Sequence, residues 1–320
     1  MFRTKRSLIA ATLTAALTLT NTLPAGAGVK IVFSLENPTK FQSLLGSGLS
    51  VFRDNLDTAG MQISEVLNGK GAINVLVKLD NTYQTASADV EEWVNTALAF
   101  GIMDPGTYYE ARTGTDPNDA NPDITLRLPE TFLKGDVWFD PSGVKRNAAV
   151  PADKLDFVTV VLHEMLHGLG FNGFRRDLPT QVGAFPDGKK STFDHYSDWG
   201  KPGLSGIPPD RIAFYGPYAK QQHGGPVLIT GGDGGYYHLG NPKGADALAD
   251  DLMSGATYSD VGRRKSISLL DLAILRDLGW QPIYRLKEDF NKTTDFDQLK
   301  PVTGVGGPAT VDPEKLKKKP

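Results

Sequence analysis

The sequence predicts an α+β fold, and three observations support this prediction. Segments with strand alternation and segments with helical spacing follow one another between residues 29 and 128. A strongly apolar helical pattern then covers residues 155–169. From Asn172 to about Tyr258 the chain is rich in Gly and Pro, so we expect a largely irregular second part. Strands interspersed with helices and followed by a buried helix are typical of an α/β or α+β lobe.

The composition is that of an ordinary globular protein. The chain has 320 residues, of which 40% are hydrophobic and 22% charged, with a formal net charge of −3. This length is enough for one large domain or for two lobes around a cleft. The small net charge gives no reason to expect a nucleic acid or a membrane surface as partner. The sequence does not determine the oligomeric state.

The first 27 residues have the pattern of a secretory signal peptide. Arg3, Lys5 and Arg6 precede an apolar run from Leu8 to about Leu23, and small residues lead to a predicted cleavage site after Ala27. A membrane anchor is the alternative, but the run is short and rich in Thr. We therefore expect an exported protein, extracellular or periplasmic, without a membrane anchor after cleavage. An exported chain with 0 cysteines is more typical of bacteria.

Apolar periodicity predicts the elements of the first part, residues 28–170. Alternation predicts strands over residues 29–35, 73–79, 124–128 and 137–139. Helical spacing predicts helices over residues 41–56 and 90–98, the first weakened by Gly46 and Gly48. The polar run 113–123 predicts a loop, and the apolar helix is expected to begin near residues 151–153.

The second part, residues 171–285, is expected to end in a helix over residues 266–280. Ser268 and Asp271 have the spacing of a capping box, and Gly279 is a candidate C-cap. Residues 286–320 are polar and end in Lys-Lys-Lys-Pro, which is typical of a solvated tail.

The apolar helix carries the motif His-Glu-x-x-His at residues 163–167. On a helix, His163 and His167 lie one turn apart on the same face, so both imidazoles can reach one zinc ion. Glu164 would then lie beside the metal, where it can take a proton from a water molecule. Chance occurrence is the alternative, but polar side chains on a buried helix are costly without a partner.

A catalytic zinc ion needs a third protein ligand. The five histidines are His163, His167, His195, His223 and His238. A glutamate ligand, as in the thermolysin-like arrangement, is not expected here, because the next glutamate after Glu164 is Glu288 in the polar tail. An aspartate remains possible at this point.

Residues 163–171, His-Glu-Met-Leu-His-Gly-Leu-Gly-Phe, resemble the active-site helix of the metzincin metallopeptidases. Most metzincins have a third ligand ten residues after the first histidine, where this chain has Gly173. The leishmanolysin-like branch instead inserts a long segment before its third histidine, and His238 matches that arrangement. The sequence Asp-Asp-Leu-Met-Ser at residues 250–254 resembles the Met-turn, with Met253 beneath the metal. The family's disulfides are absent, so the resemblance is to a cysteine-free bacterial relative.

This resemblance implies a two-lobed catalytic domain. The N-terminal lobe would hold a twisted sheet and the active-site helix, and the irregular C-terminal lobe would hold the Met-turn and a C-terminal helix. His195 with its neighbour Asp194 is the alternative third ligand. Tyr258 lies five residues after Met253, whereas some metzincins have an oxyanion-stabilising tyrosine two residues after it. The acidic run 116–123 could bind structural Ca²⁺, but it lacks the spacing of a known loop and is typical of turn formers.

The sequence thus predicts a secreted zinc endopeptidase acting on a protein or peptide substrate. One Zn²⁺ ion would be held by His163, His167 and His238, with Glu164 as general base. The alternatives are a metzincin-like binding protein without activity and a zinc hydrolase of a non-protein substrate.

Overall fold

The computed structural model describes residues 28–95, 101–119, 121–174, 189–199, 212–232, 235–240 and 248–283. It has the predicted mixed α+β composition. Its main sheet has the order β1-β3-β7-β4, in which β1, β3 and β7 are parallel and the edge strand β4 is antiparallel to β7. These strands are Lys30–Leu35, Ala72–Leu79, Ile124–Leu128 and Ser87–Val90. The first three confirm predicted strands.

The first helical region contains two helices. α1 (Pro38–Leu45) and α2 (Leu49–Val66) are separated by a 3₁₀ turn at Gly46–Gly48, where the glycines weaken the helical pattern. The helix also extends ten residues further than the predicted end at Leu56. α2 packs against β1 and against the apolar helix, and its buried Phe52 lies 5.1 Å from Phe157, ring centre to ring centre.

The apolar helix, α5 (Phe157–Gly168), is buried along its whole length. It begins later than predicted, because residues 151–154 form a turn and the short strand β9 (Leu155–Asp156) pairs with β8 (Val137–Trp138). Asp156 caps α5 by accepting a hydrogen bond from the Thr159 amide at 2.9 Å, and it pairs with Arg146. At Gly168 a Cβ atom would lie 2.4 Å from Cδ1 of Ile124, so a side chain there would have to displace Ile124, and glycine lets α5 lie close to β7.

The predicted helix over residues 90–98 is wrong in the part that the structure describes. β4 ends at Val90, and Trp93–Asn95 forms β5, which pairs with β6 (Ile102–Pro105). The cause is non-local: β4 pairs with β7, and Trp93 packs on Phe174, with ring centres 4.6 Å apart. In the described part of residues 28–170, two helices were not predicted, α3 (Gly106–Thr113) and α4 (Glu130–Gly135). The run that follows α3 is the predicted loop.

The second part is more regular than predicted. Strands β11 (Ser197–Trp199), β12 (Ile212–Phe214), β13 (Val227–Gly232) and β14 (Gly235–Leu239) form an antiparallel sheet. The short strand β10 (Lys190–Ser191) and the helices α6 (Thr192–Tyr196) and α7 (Pro217–His223) accompany it. These elements are short and the sequence between them is rich in Gly and Pro, so sequence periodicity does not reveal them.

The final helix, α8 (Leu269–Asp277), lies within the predicted range and begins with the predicted capping box of Ser268 and Asp271. Gly279 is one residue past the C-cap, which is Leu278. The strand β15 (Gln281–Pro282) pairs with β2 (Leu67–Asn68) and so joins the end of the described chain to the first part. Among the described residues, no helix combines the length and apolar character needed to cross a bilayer. The predicted signal peptide and polar tail lie outside the described residues.

Candidate metal centre

Helix α5 presents two imidazoles to one point. His163 and His167 are one turn apart, and their ring centres are 4.8 Å apart. Both side chains are buried, with exposed fractions of 1% and 6%. Their positions follow from the helical repeat alone, as the sequence predicted.

His238 reaches the same point from β14. In the β13–β14 pair, His238 lies opposite Thr230, next to a bulge. The Leu239 amide donates to the Met253 carbonyl at 2.7 Å, and Leu239 forms a parallel bridge with Ser254. These backbone contacts place β14 beside the turn that contains Met253. His238 therefore approaches His163 in α5, although the two residues are 75 positions apart in the sequence.

The three Nε2 atoms of His163, His167 and His238 form a triangle in which every side is 3.2 Å. Three ligand atoms bound tetrahedrally at the usual Zn–N distance lie about 3.3 Å apart. The donor set and its spacing therefore fit one zinc ion.

The outer nitrogens of both helix histidines face backbone carbonyls. Nδ1 of His163 is 2.8 Å from the Leu252 carbonyl oxygen, and Nδ1 of His167 is 2.7 Å from the Phe171 carbonyl oxygen. Because a carbonyl can only accept, Nδ1 carries the proton and Nε2 carries a lone pair. Both lone pairs then point into the triangle, as metal binding requires.

Burial keeps the three imidazoles neutral. It lowers the pKa of His163 well below the ordinary value, with the neighbouring His167 and His238 adding to the effect. Burial and His238 lower the pKa of His167 to about 3, and burial lowers that of His238 to about 4. At neutral pH all three are free to act as ligands without losing a proton first.

Glu164 lies next to this centre and is held by Tyr258. The side chain of Glu164 is 3% exposed, and its Oε1 accepts a short hydrogen bond from the Tyr258 hydroxyl. The Tyr258 ring also meets the His163 ring edge to face, with centres 5.6 Å apart. A five-residue spacing from Met253 therefore brings this tyrosine to the centre, through the 3₁₀ turn Thr257–Ser259.

The turn at residues 251–254 contacts the centre through the Leu252 carbonyl. Met253 is fully buried, and its amide donates to Asp251 Oδ1 at 2.9 Å. Asp251 Oδ2 accepts from the Ser268 hydroxyl at 2.6 Å, which links the turn to the N-terminus of α8. Burial, and next the carboxylate of Asp251, raise the pKa of the neighbouring Asp271 well above its ordinary value.

A further layer of contacts was not predicted from the sequence. The Leu252 carbonyl that orients His163 also accepts a 2.8 Å hydrogen bond from the Thr257 hydroxyl. That hydroxyl is 3.2 Å from Nζ of the buried Lys265. Tyr237 packs on the ring of His167 at 5.1 Å. Only the position of Tyr237 beside His238 in the sequence could have indicated it.

The alternative third ligands lie elsewhere. His195 is an exposed residue of α6, and Asp194 is buried as the capping-box partner of Ser191. Asp194 also accepts from the Phe174 amide at 2.7 Å. Among the described residues, neither joins the histidine triangle. The structure thus brings together His163, Glu164, His167, His238 and Tyr258.

Comparison with known proteins adds no assignment: no protein-family model matches the chain, and no curated protein matches it.

Proposed function

We propose that this protein is an exported zinc-dependent endopeptidase with the two-lobed arrangement of the metzincins. The observation that carries the proposal is the triangle of Nε2 atoms of His163, His167 and His238, with sides of 3.2 Å. Three neutral nitrogen donors buried at one point repel no cation, and their spacing suits tetrahedral zinc. Imidazole ligands also favour zinc over calcium or magnesium, which prefer oxygen.

Bound zinc would supply a Lewis acid that polarises a carbonyl group and lowers the pKa of a water molecule. Glu164 is the group beside the histidines that can accept the proton of that water and deliver it to the leaving amine. The hydroxyl of Tyr258, now donating to Glu164, can turn its hydrogen bond toward a developing oxyanion. The carbonyls of Leu252 and Phe171 hold two of the imidazoles in orientation throughout.

The edge strand β4 supports a peptide substrate over a small molecule. β4 ends the main sheet and lies against α5, which carries the histidines. The Ala86 carbonyl, immediately before β4, is 3.4 Å from the Tyr258 hydroxyl. An extended peptide could add to such an edge through backbone hydrogen bonds, with its scissile bond near the centre.

Metal content tests the ligand set. Zinc per chain is measured after dialysis against dilute chelator for wild type, His238→Ala and His195→Ala. We expect wild type and His195→Ala to retain about one zinc ion, and His238→Ala to lose it. Loss in His195→Ala with retention in His238→Ala would refute the proposed ligand set.

Cleavage of casein and of a broad peptide library tests the activity. We expect zinc-loaded wild type to cleave, chelator to abolish cleavage, and Glu164→Gln to bind zinc without cleaving. A zinc-loaded wild type that cleaves no peptide would exclude the endopeptidase. Hydrolysis of a non-protein ester or amide by that same preparation would then favour a zinc hydrolase of a non-protein substrate. Absence of such hydrolysis would favour a binding protein without activity.

Export rests on the sequence of residues 1–27 alone. N-terminal sequencing of the protein recovered outside the bacterial cytoplasm should give Gly28 as the first residue. An N-terminus at Met1 would refute cleavage.

A further inference from the structure

A second cluster of metal-ligating side chains lies apart from the histidines. It consists of Glu110 in α3, Asp116 in the following loop, and Asp123 immediately before β7. One carboxylate oxygen from each residue lies within 4.8 Å of the others. The proposed peptidase function does not use this cluster.

Two of the three carboxylates are deeply buried, and only one oxygen of each accepts a hydrogen bond from a backbone amide. Glu110 is 5% exposed and Asp123 is 2% exposed. One oxygen of each accepts a backbone amide of β3: Ala72 donates to Glu110 Oε1 at 2.8 Å, and Asn74 donates to Asp123 Oδ2 at 2.7 Å. The second oxygens, Glu110 Oε2 and Asp123 Oδ1, are buried and accept no hydrogen bond from an N–H or O–H group of the described residues, and the two carboxyl groups lie within hydrogen-bonding contact of each other. Buried acceptors of this kind call for a proton or a cation.

No side-chain cation of the described residues neutralises the cluster. Within the described parts of the chain, no Lys, Arg or His forms an ion pair with Glu110, Asp116 or Asp123. Burial, with the carboxylates of Asp123 and Asp116, raises the pKa of Glu110 to about 7. Burial and the carboxylate of Asp116 raise the pKa of Asp123 to about 6.

The backbone around the cluster keeps the acids together. At Gly71 a Cβ atom would lie 2.4 Å from Cγ of Glu110, so the absence of a side chain admits the glutamate. Asp116 Oδ1 accepts from the Asn118 amide at 2.9 Å, which closes the turn toward Asp123. The side-chain oxygen of Asn118 in this loop is a further buried oxygen that accepts no hydrogen bond from the residues that the structure describes.

We propose that Glu110, Asp116 and Asp123 form a calcium site that ties α3 and its loop to the start of β3 and β7. All candidate donors are oxygen atoms, and several of them are charged, which selects a hard cation over zinc. Calcium tolerates irregular coordination by carboxylates, amide or backbone oxygens and water, whereas magnesium demands near-octahedral geometry. Because the acids brace the amides of β3, the ion stabilises the main sheet.

Isothermal titration of CaCl₂ into the zinc-loaded full-length mature protein tests this proposal. We expect one calcium ion per chain with a dissociation constant between about 10⁻⁵ and 10⁻³ M, together with a rise in the melting temperature. Glu110→Gln and Asp123→Asn keep the side-chain shape and should each weaken binding at least about ten-fold, because each removes a charged ligand. Circular dichroism checks that the variants are folded.

Asp119→Asn is the matched control. Asp119 lies in the same loop, is exposed, and has a φ of 57°, which asparagine tolerates, so the substitution removes the same charge outside the cluster. It should leave calcium binding unchanged. His238→Ala should also retain calcium binding, which separates this site from the zinc proposal.

Two results would overturn the calcium site. One is a wild type that shows neither binding heat nor a shift in melting temperature with calcium. Stabilisation of Glu110→Gln without calcium would then indicate that the acids share a proton. The other is a loss of calcium binding in Asp119→Asn equal to the loss in Glu110→Gln and Asp123→Asn. Calcium binding would then depend on the total charge of the loop and not on a site.

Discussion

Tyr258→Phe should separate catalysis from metal binding. The substitution removes only the hydroxyl, which donates to Glu164 and lies 3.4 Å from the Ala86 carbonyl. The ring contacts with Phe132 at 5.9 Å and with His163 at 5.6 Å remain available to phenylalanine. We therefore expect a folded protein with zinc affinity within a few-fold of wild type.

The expected loss is in kcat. Removing one donor to a developing oxyanion costs roughly 10²–10³ in kcat, or about 2.7–4 kcal/mol. The contact with the Ala86 carbonyl is too long to contribute much, so the effect should come from Glu164 and the substrate. KM should change less than about two-fold, because the donor acts mainly in the transition state.

Steady-state cleavage of a quenched fluorescent peptide, with zinc content measured on the same samples, provides the assay. Tyr83→Phe is the control, since Tyr83 is 46% exposed and should tolerate loss of its hydroxyl. A Tyr258→Phe enzyme that keeps more than half of kcat would refute the role in the transition state. Loss of zinc in this variant would instead show that the tyrosine supports the metal.

Three further predictions concern the support of the centre and its response to acid. Thr257→Val removes the hydroxyl that donates to the Leu252 carbonyl, so chelator competition should show zinc affinity reduced by about ten-fold; unchanged affinity would contradict this role. Asp271→Asn should leave the denaturation midpoint almost unchanged, because an amide resembles the protonated acid that burial and Asp251 favour; Asp271→Ala should cost about 1–3 kcal/mol in chemical denaturation, and equal losses would refute a protonated Asp271. Metal-free protein should lose stability as the pH falls from about 6.5 toward 4. In this range His167 binds a proton in the unfolded state but stays neutral in the folded state, where its pKa is about 3. Urea midpoints measured at each pH should therefore fall less steeply in His167→Gln.

Features that depend on local sequence were predictable. The helix with His163 and His167 needs only apolar periodicity and a four-residue spacing, and the structure has both residues on one face of α5. The capping box of Ser268 and Asp271 is equally local. Such features persist because their partners are near in sequence and no distant pairing competes with them.

Features set by distant contacts were not predictable in the same way. The apolar residues Val90, Trp93 and Val94 fit a helix as well as a strand, and pairing with β7 and β6 decides the outcome. The position of His238 depends on the β13–β14 pair and on the bridge to Ser254. The sequence alone left both His195 and His238 as candidate third ligands. Only the resemblance to the leishmanolysin-like branch, with its long insertion before the third histidine, favoured His238.

The short segment from Asp251 to Tyr258 makes hydrogen bonds that position several residues of the centre. Its Leu252 carbonyl orients His163, its Met253 carbonyl holds the strand that carries His238, and its Tyr258 hydroxyl reaches Glu164. Asp251 then anchors the segment to α8 through Ser268. One segment therefore fixes an imidazole from the helix, an imidazole from the sheet and the candidate base relative to one another. A methionine suits this fully buried position, because its flexible apolar side chain fills irregular space in a core and needs no hydrogen-bond partner there.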